Sequence, residues 1–506
     1  TDTLPMLRLA TILLIFSLSA TAEQPVVRVS VPDLEQADSG RLLLAFGREA
    51  DAEPRQTIGW PVTPTEATPF FGMDVTDWNG EPLVFEADAG YPFEAPDRLP
   101  AGGWYVQALW DVNQTLSEVN APGNFYSEPQ TFDPSAVDEV IEIELTRREP
   151  PESLPEDREL LKFVRIRSPL LSAFYGREIH LRASVLLPAG YEPDSERRYP
   201  VLFSIGGLNA RYDRSQRLWG LDRFREWWSA DGTPQMVVVF LDGESPWGDS
   251  YQVNSEISGP YADANFEELF PYLAERFPID NRPGSRFLTG CSTGGWVSMA
   301  LQVFYPDEFN GAWSFSPDSP SFRAFQLVDL YEDSNAFVNE FGYQRPSMRR
   351  TDGEPVFSLA QEFAAESAMA RGRNFLYSGQ QWASWNAVYG QLDEAGEPIP
   401  VWDQDAGTID PEAVAGWERW DIERHIRENW AELGPRLQGK LHFFMGDMDT
   451  FYLNVGLRML EETIQELDSP RSDASFYWRA GHGHCGWGLE MSVFEVIEAA
   501  DQRASR

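Results

Sequence analysis

Apolar positions along this chain change their period from the first part to the second. Residues 140–145 alternate apolar and acidic side chains, the pattern of a strand with one buried face. Residues 41–46 and 104–110 are more continuously apolar, and Pro, Gly and Asp clusters separate these runs. Short strands at this spacing are typical of a sandwich, so we expect a β-sandwich domain over residues 23–146.

A charged, Pro-rich stretch over residues 147–160 follows, and it predicts a stiff linker. Beyond it, residues 200–205 and 236–241 are nearly continuous apolar runs, as expected of strands buried on both faces. Residues 262–277 show helical periodicity between such runs. Strands alternating with helices predict an α/β domain over residues 161–506, with a mostly parallel sheet and helices on both faces.

The alternation of strands and helices breaks down over residues 317–439, which predicts a large cap or lid insertion. This segment is rich in tryptophan. Trp382, Trp385 and Trp402 lie among Ser, Asn and Gln, so they are either core residues or the walls of an aromatic or sugar pocket.

The net charge of the chain and its N-terminal residues bear on its partners and its location. Of the 506 residues, 80 are Asp or Glu and 40 are Lys or Arg, a formal charge of −40 that disfavours nucleic acid as a partner. Arg8, the apolar residues 9–18 and the small residues 20–22 predict a signal peptide over residues 1–22. The apolar run is too short to span a bilayer, so we expect a secreted or periplasmic protein without stable membrane insertion after signal cleavage.

One motif predicts a nucleophile. Gly290-Cys291-Ser292-Thr293-Gly294 has the Gly-x-Ser-x-Gly form, with an apolar segment before it and a helix-like run after it. In that context the motif is a nucleophile elbow, a strained turn that holds the serine hydroxyl at the edge of a sheet.

Chain order then limits the general base and its acid. An acid after the strand over residues 440–446 and a later histidine satisfy the order Ser, Asp, His. Asp449 is the preferred acid and Asp447 the alternative. Two histidines follow them, His482 and His484.

The two cysteines favour His484. Cys291 adjoins Ser292 and Cys485 adjoins His484, two residues that must meet in such a site. In an exported protein an even number of cysteines favours a disulfide, although two buried free thiols are the alternative. We therefore expect a Cys291–Cys485 disulfide, with His484 as the base and His482 as a hydrogen-bonding loop residue.

The loop after the strand over residues 200–205 begins Gly206-Gly207-Leu208. In this architecture such a loop supplies one oxyanion donor, and the N–H after the nucleophile supplies the other. The expected oxyanion hole therefore comprises Thr293 with Gly207 and Leu208. This chemistry requires no cofactor and no metal.

Three motifs resemble the putative esterase family of α/β-hydrolases, which includes esterase D, feruloyl esterases and mycolyltransferases. They lie over residues 290–296, 267–273 and 305–309. The Cys291-Ser292 and His484-Cys485 pairs also resemble the tannase and fungal feruloyl esterase family, in which a disulfide joins the neighbours of the two catalytic residues. That resemblance implies aromatic carboxylic esters as substrates.

The combined prediction is an exported serine esterase acting on carboxylic esters, either aryl or hydroxycinnamoyl esters or acyl-glycan esters. Its partner would be a small-molecule or polysaccharide-linked ester. One alternative is an acyltransferase to a sugar or lipid alcohol, and another is a non-catalytic glycan-binding protein. A peptidase of the prolyl oligopeptidase type is disfavoured because no propeller repeat precedes the α/β part.

Overall fold

A computed structural model describes residues 25–49, 52–59, 63–136, 139–193, 195–486 and 489–505. The predicted signal peptide over residues 1–22 lies outside these residues. None of the helices in these ranges combines the length and the apolar composition that crossing a membrane requires.

The N-terminal part is a β-sandwich of two sheets. Its strands are β1 Val26–Ser30, β2 Asp38–Gly47, β3 Phe70–Trp78, β4 Leu83–Val84, β5 Ala89–Tyr91, β6 Trp104–Asp111, β7 Phe125–Tyr126, β8 Gln130–Phe132, β9 Val140–Glu144 and β10 Arg147–Arg148. The smaller sheet has the order β4-β1-β9, and the larger has the order β10-β7-β6-β2-β3-β5 with β8 on β6. Apolar side chains of both sheets form one core, as the alternation in β9 predicts.

Arg147 and Arg148 were expected in the linker, but they form β10 at the edge of the larger sheet. The guanidinium of Arg148 lies 4.8 Å from the ring centroid of Phe125 in β7. This cation–π contact between β10 and β7 helps to hold the charged strand β10 at the edge of the sheet.

The second part contains an eight-stranded sheet. Its strands and small hairpins are β11 Leu161–Arg167, β12 His180–Leu186, β13 Val201–Ile205, β14 Val237–Leu241, β15 Glu244–Ser245, β16 Gly248–Asp249, β17 Asn254–Ser255, β18 Gly259–Pro260, β19 Arg286–Ser292, β20 Ala312–Pro317, β21 Pro346–Arg349, β22 Pro355–Ser358, β23 Leu441–Gly446 and β24 Ser475–Arg479. The large sheet has the order β11-β12-β14-β13-β19-β20-β23-β24. The β11–β12 and β12–β14 pairs are antiparallel and the remaining pairs are parallel.

Helices cover both faces of this sheet, so the predicted α/β-hydrolase class is confirmed. They are α1 Pro169–Tyr175, α2 Ser215–Trp219, α3 Asp222–Trp228, α4 Tyr261–Ala264, α5 Phe270–Arg276, α6 Thr293–Phe304, α7 Leu359–Met369, α8 Gln381–Tyr389, α9 Pro411–Trp417, α10 Ile422–Leu437, α11 Leu453–Glu466 and α12 Leu489–Ala504. A π-helical turn, Asn265–Leu269, joins α4 to α5. Apolar side chains form a separate core on each face of the sheet.

The segment between β20 and β23 packs against two partners. Residues of α7 and β22 share an apolar cluster with the larger sheet of the sandwich, including Phe357 against Tyr91. Helix α10 packs against α6 and α11, the place of a crossover helix in this fold. The segment therefore lies between the sandwich and the hydrolase sheet, and its last helix belongs to the hydrolase core.

Candidate active site

Ser292 occupies the turn between β19 and α6. Its φ of 61° and ψ of −127° lie outside the regions that L-residues prefer. The turn is tight because small residues allow α6 to approach the sheet: a Cβ on Gly294 would lie 2.2 Å from the carbonyl oxygen of Ile205. The strain and the close packing match the elbow that the motif predicts.

The imidazole of His484 pairs with Asp449. His484 Nδ1 lies 2.8 Å from Asp449 Oδ2, and Nδ1–H is the donor because an ionised carboxylate only accepts. The other oxygen of Asp449 accepts from the backbone N–H groups of Phe451 (3.0 Å) and Leu453 (3.3 Å), where α11 begins. The fully buried acid therefore orients the imidazole and leaves Nε2 as the remaining ring nitrogen.

Asp447 and His482, the alternative acid and the other histidine, make different contacts. Asp447 Oδ1 accepts from the backbone N–H of Gly481 at 2.7 Å. The carbonyl of His482 accepts from the N–H of Met448 at 3.1 Å. Both contacts close the turn that carries His484, so these residues shape its loop.

Cys291 and Cys485 form a disulfide with Cα atoms 6.1 Å apart and 194 positions apart in sequence. The bridge joins the residue before Ser292 to the residue after His484. The N–H of Cys485 also donates to the Oγ of Ser316, a residue of β20, at 3.1 Å. The histidine loop is therefore held directly to the elbow and its neighbouring strand.

The residues expected to bind an oxyanion lie beside Ser292. Gly207 and Leu208 belong to residues 206–211, here named the oxyanion loop, which follows β13 and is closed by a 3.0 Å bond from Ala210 N–H to the carbonyl of Gly207. A Cβ on Gly207 would lie 4.0 Å from Ser292 Oγ. Thr293 is the first residue of α6, and its backbone N–H has no preceding helical carbonyl to bind.

Asp318 is a site residue that sequence reasoning missed. It lies just beyond β20, is almost fully buried, and its Oδ1 is 3.5 Å from Ser292 Oγ. Its Oδ2 accepts from Trp385 Nε1 at 3.1 Å, from Thr293 Oγ1 at 3.3 Å and from the hydroxyl of Tyr251. Three donors thus fix one oxygen and leave the other facing the serine.

The electrostatics of the site favour a charged imidazole more than usual. Burial alone would lower the pKa of His484, but the charge of Asp449, its hydrogen bond and the charge of Asp318 outweigh burial and raise this pKa above its ordinary value. Burial raises the pKa of Asp318, while the hydrogen bond from Tyr251 and the charge of His484 act in the opposite direction. The two carboxylates therefore stabilise the imidazolium that forms when His484 takes a proton.

Ser292, His484 and Asp318 line one cavity of about 300 Å³. Its lining residues include Gly207, Leu208, Cys291, Ser292, Asp318, Gln326, Gln381, Trp385, Phe451, Leu453, His484 and Cys485. The side-chain oxygen of Gln326 is buried and has no hydrogen-bond partner among the described residues. The cavity therefore has apolar walls with a small number of polar groups near the serine, which is the usual form of a small-molecule site.

The three tryptophans proposed as a substrate pocket have different positions. Trp385 lines the cavity and donates to Asp318. The ring of Trp382 lies 4.6 Å from that of Trp385 and 4.5 Å from that of Trp402, centroid to centroid. Trp382 and Trp402 are fully buried behind Trp385 and do not line the cavity, because they fill the core between α7 and α8.

The family follows from a match over most of the hydrolase part. Residues 172–491 match the family described as Putative esterase, which is more than half of the chain. The chain belongs to this esterase family. The predicted resemblance to the putative esterase family is thereby confirmed, and the protein is a carboxylic ester hydrolase of the α/β-hydrolase fold. No curated protein matches this chain in sequence.

Solved structures with weak similarity include three hydrolases. A ferulic acid esterase is 12% identical, with a TM-score of 0.42 over 68% of this esterase and 100% of that chain. An S-formylglutathione hydrolase from Agrobacterium tumefaciens is 15% identical, with a TM-score of 0.38 over 70% and 98%. A ferulic acid esterase from Anaeromyces mucronatus is 13% identical, with a TM-score of 0.33 over 70% and 95%. The family assignment rests on the sequence match alone.

Proposed function

We propose that the protein is an exported serine esterase in which Ser292 is the nucleophile, His484 the general base and Asp449 the residue that orients it. The observation that carries this proposal is a shared cavity: the serine of a strained elbow and an imidazole paired to a buried carboxylate both line it. Nucleophile, base and orienting acid are the three roles that a serine hydrolase requires.

Acylation begins when His484 Nε2 takes the hydroxyl proton of Ser292. Ser292 Oγ then attacks the ester carbonyl carbon, and the carbonyl π electrons move to its oxygen. As the tetrahedral intermediate collapses, the bond to the alcohol oxygen breaks and His484 returns the proton to that oxygen. Asp449 stabilises the imidazolium by accepting the hydrogen bond from Nδ1–H.

Deacylation repeats these steps with water. His484 takes a proton from water, the hydroxide attacks the acyl-enzyme, and Ser292 Oγ leaves with the proton as the acid is released. In both halves the negative oxygen is bound by Thr293 N–H and the backbone of Gly207 and Leu208. Such donors are worth most when the fold holds them in place before reaction.

The cavity supports a substrate with hydroxyl groups, which both predicted classes possess. Trp385 supplies an apolar ring at one wall. Asp318 Oδ1 and the unpaired oxygen of Gln326 are acceptors, and a buried acceptor is stabilised by a donor from the ligand. Hydroxycinnamoyl esters and acyl-glycan esters each combine an apolar or ring face with O–H donors.

The proposal of export to an extracellular or periplasmic space is supported by two features. Residues 1–22 have the composition of a signal peptide. The Cys291–Cys485 disulfide is of a kind that persists in oxidising compartments and is rare in the cytosol. Amino-terminal sequencing of the protein from a periplasmic or culture fraction should begin at Glu23, whereas an uncleaved chain recovered only from the cytosol would contradict export.

A covalent label tests the nucleophile and its base together. A fluorophosphonate should add once per chain, and peptide mass spectrometry should place the adduct on Ser292. His484→Ala should slow labelling by at least about 10²-fold because the hydroxyl loses its base. His482→Ala should label at the wild-type rate, because the hydrogen bonds of His482 to Met448 and Arg479 are made by its main chain, which alanine keeps. An adduct at another residue, or equal rates in both histidine variants, would exclude this mechanism.

Product analysis tests the hydrolytic outcome. With methyl ferulate or acetylated xylan, the released acid should equal the ester consumed, even when an alcohol acceptor is added. Accumulation of a new ester in place of the acid would identify an acyltransferase instead.

A further inference from the structure

One of the contacts between the N-terminal β-sandwich and the second part lies close to Ser292. Among the residues that the structure describes, those that line the cavity around Ser292 come from positions 207–485, and none belongs to the sandwich. It instead reaches the oxyanion loop, the six residues after β13 that carry the donors opposite the serine. The contact is made at the far end of this loop, by Arg211.

Arg211, the last residue of the oxyanion loop, binds carboxylates from three parts of the chain. Its Nε lies 2.8 Å from Asp242 Oδ1, just beyond β14 of the hydrolase sheet. Its Nη2 lies 2.9 Å from Glu152 Oε1, in the connection between the two parts. Its Nη1 lies 2.6 Å from Glu118 Oε1, in the sandwich loop between β6 and β7. The guanidinium is therefore a junction between the loop, the connection and the sandwich.

The Arg211–Asp242 ion pair at this junction is largely shielded from water. The side chain of Arg211 is 17% exposed and that of Asp242 is 5% exposed. Arg182 adds a second cation, 2.7 Å from Glu152 Oε2 and 3.8 Å from Asp242 Oδ2. A planar guanidinium with several charge-assisted bonds has little rotational freedom, so this network holds Arg211 in one position.

The main chain of the loop is tied to the same network. Arg214 donates to the carbonyl of Arg211 at 3.0 Å and to that of Leu241 at 2.8 Å, and it also binds the carbonyl of Ser204 in β13. The loop is thus anchored at Arg211, four residues after Gly207, which lies against Ser292.

We propose that the N-terminal sandwich positions the oxyanion hole, with Glu118 and Glu152 holding Arg211 and hence the loop that carries Gly207 and Leu208. The inference rests on the proposed function of that loop. A backbone donor stabilises an oxyanion only when it is already aimed at the oxygen, and displacements of about 1 Å cost up to ~10²-fold in rate. Glu118 is a positioning residue, because it acts through Arg211 and does not line the cavity.

The test compares two carboxylates of the sandwich that both reach across to the second part. Glu118 is 34% exposed and binds Arg211. Asp74 is 37% exposed, pairs with the buried Arg41 at 3.3 Å and accepts from the backbone N–H of Gly372, far along the chain from the oxyanion loop. Asp88 also pairs with Arg41, so this cation keeps a carboxylate partner in Asp74→Asn. Glu118→Gln in the full-length protein should lower kcat about tenfold, less than the ~10²–10³-fold loss caused by deleting an oxyanion donor, because Asp242 and Glu152 remain. Asp74→Asn should leave kcat unchanged.

The affinity for an aryl trifluoromethyl ketone separates positioning from general structural damage. This inhibitor adds the serine oxygen and places a negative oxygen in the oxyanion hole, so its Ki should rise by the same factor as kcat falls in Glu118→Gln. KM should change by less than about twofold, because the donors act on the transition state. Glu152→Gln should repeat the pattern independently.

Two outcomes would overturn the inference. If Glu118→Gln and Glu152→Gln matched Asp74→Asn in kcat and in Ki, the sandwich would have no positioning role. If the rate fell while the Ki stayed constant, the loss would have another origin. Ser292→Ala is assayed in parallel: an inactive Ser292→Ala keeps these outcomes specific to positioning, whereas a fully active one overturns the proposed function and the inference together.

Discussion

Each member of the proposed catalytic pair, Ser292 and His484, has a carboxylate beside it. Asp449 is hydrogen-bonded to Nδ1 of His484, whereas Asp318 lies 3.5 Å from the hydroxyl of Ser292. Both raise the pKa of His484 against the effect of its burial. Asp318 is therefore expected to affect the protonation state of the base without orienting it.

The pH profile of Asp318→Asn tests this electrostatic role. The base must be neutral, so kcat/KM rises with pH through the pKa of His484, and that pKa is raised in part by Asp318. Removing this charge should move the acidic limb to lower pH. The plateau should fall by much less than the ~10²-fold cost of losing a general base, because Asp449 still orients the ring. An unmoved acidic limb would mean that Asp318 is neutral in the free enzyme.

Sequence reasoning selected Ser292, His484 and Asp449 because chain order and the cysteine neighbours restrict the choice, and their roles stay a prediction. It missed Asp318 because Pro317-Asp318-Ser319 is typical of an ordinary turn. The proximity to Ser292 arises only when β19 and β20 pair in parallel, which brings their carboxyl ends together. The buried positions of Trp382 and Trp402 were equally hidden, because they depend on how α7 and α8 pack.

At the scale of elements, the elbow requires that α6 touch the end of β13. A Cβ on Gly294 would meet the carbonyl oxygens of Ile205 at 2.2 Å and Gly206 at 2.5 Å, both backbone atoms that cannot rotate away. The same contact places the helix N-terminus beside the oxyanion loop. The lack of a side chain at Gly294 therefore permits both the packing of α6 and the approach of its N-terminus to residues 205 and 206.

Gly294→Ala should destabilise the protein by roughly 3 kcal/mol, the upper part of the range for overpacking. Without the clash, alanine in a helix would be stabilising by up to ~1 kcal/mol. The control is Gly284→Ala, where an added Cβ meets no atom within 4 Å. Urea unfolding of both variants measures the difference; equal free energies of unfolding would show that α6 does not need this approach.

The continuous apolar runs of β13 and β14 were correctly predicted as strands buried on both faces. The segment between β20 and β23 was harder to interpret because its helices pack on two surfaces, the sandwich and the hydrolase core. Helix α10 was included in the predicted insertion although it packs on α6 and α11. Periodicity shows that a helix has an apolar face, but not which surface covers that face.

At the scale of the molecule, the Cys291–Cys485 disulfide joins the centre of the sheet to a loop near the C-terminal helix. It closes a loop of 194 positions. The loop-closure entropy of the unfolded chain predicts a stabilisation of up to about 5 kcal/mol for a loop of that length.

The double variant Cys291→Ser/Cys485→Ser should therefore unfold at lower urea concentration than the wild type, with a free energy of unfolding lower by up to about 5 kcal/mol. Reductant should destabilise the wild type by a similar amount and leave the double variant unchanged. If reductant had no effect on either protein, the bridge would not contribute to stability.

Ester cleavage by this protein is proposed to depend on the hydroxyl of Ser292. The most direct measurement is the initial rate on 4-nitrophenyl acetate for the wild type and Ser292→Ala. Ser258→Ala serves as the control, because its buried hydroxyl has no partner in the described part of the chain. The proposed role of Ser292 predicts a fall of at least ~10⁴-fold in kcat for Ser292→Ala and no comparable change for Ser258→Ala. Equal rates in the wild type and Ser292→Ala, with both proteins folded, would contradict it.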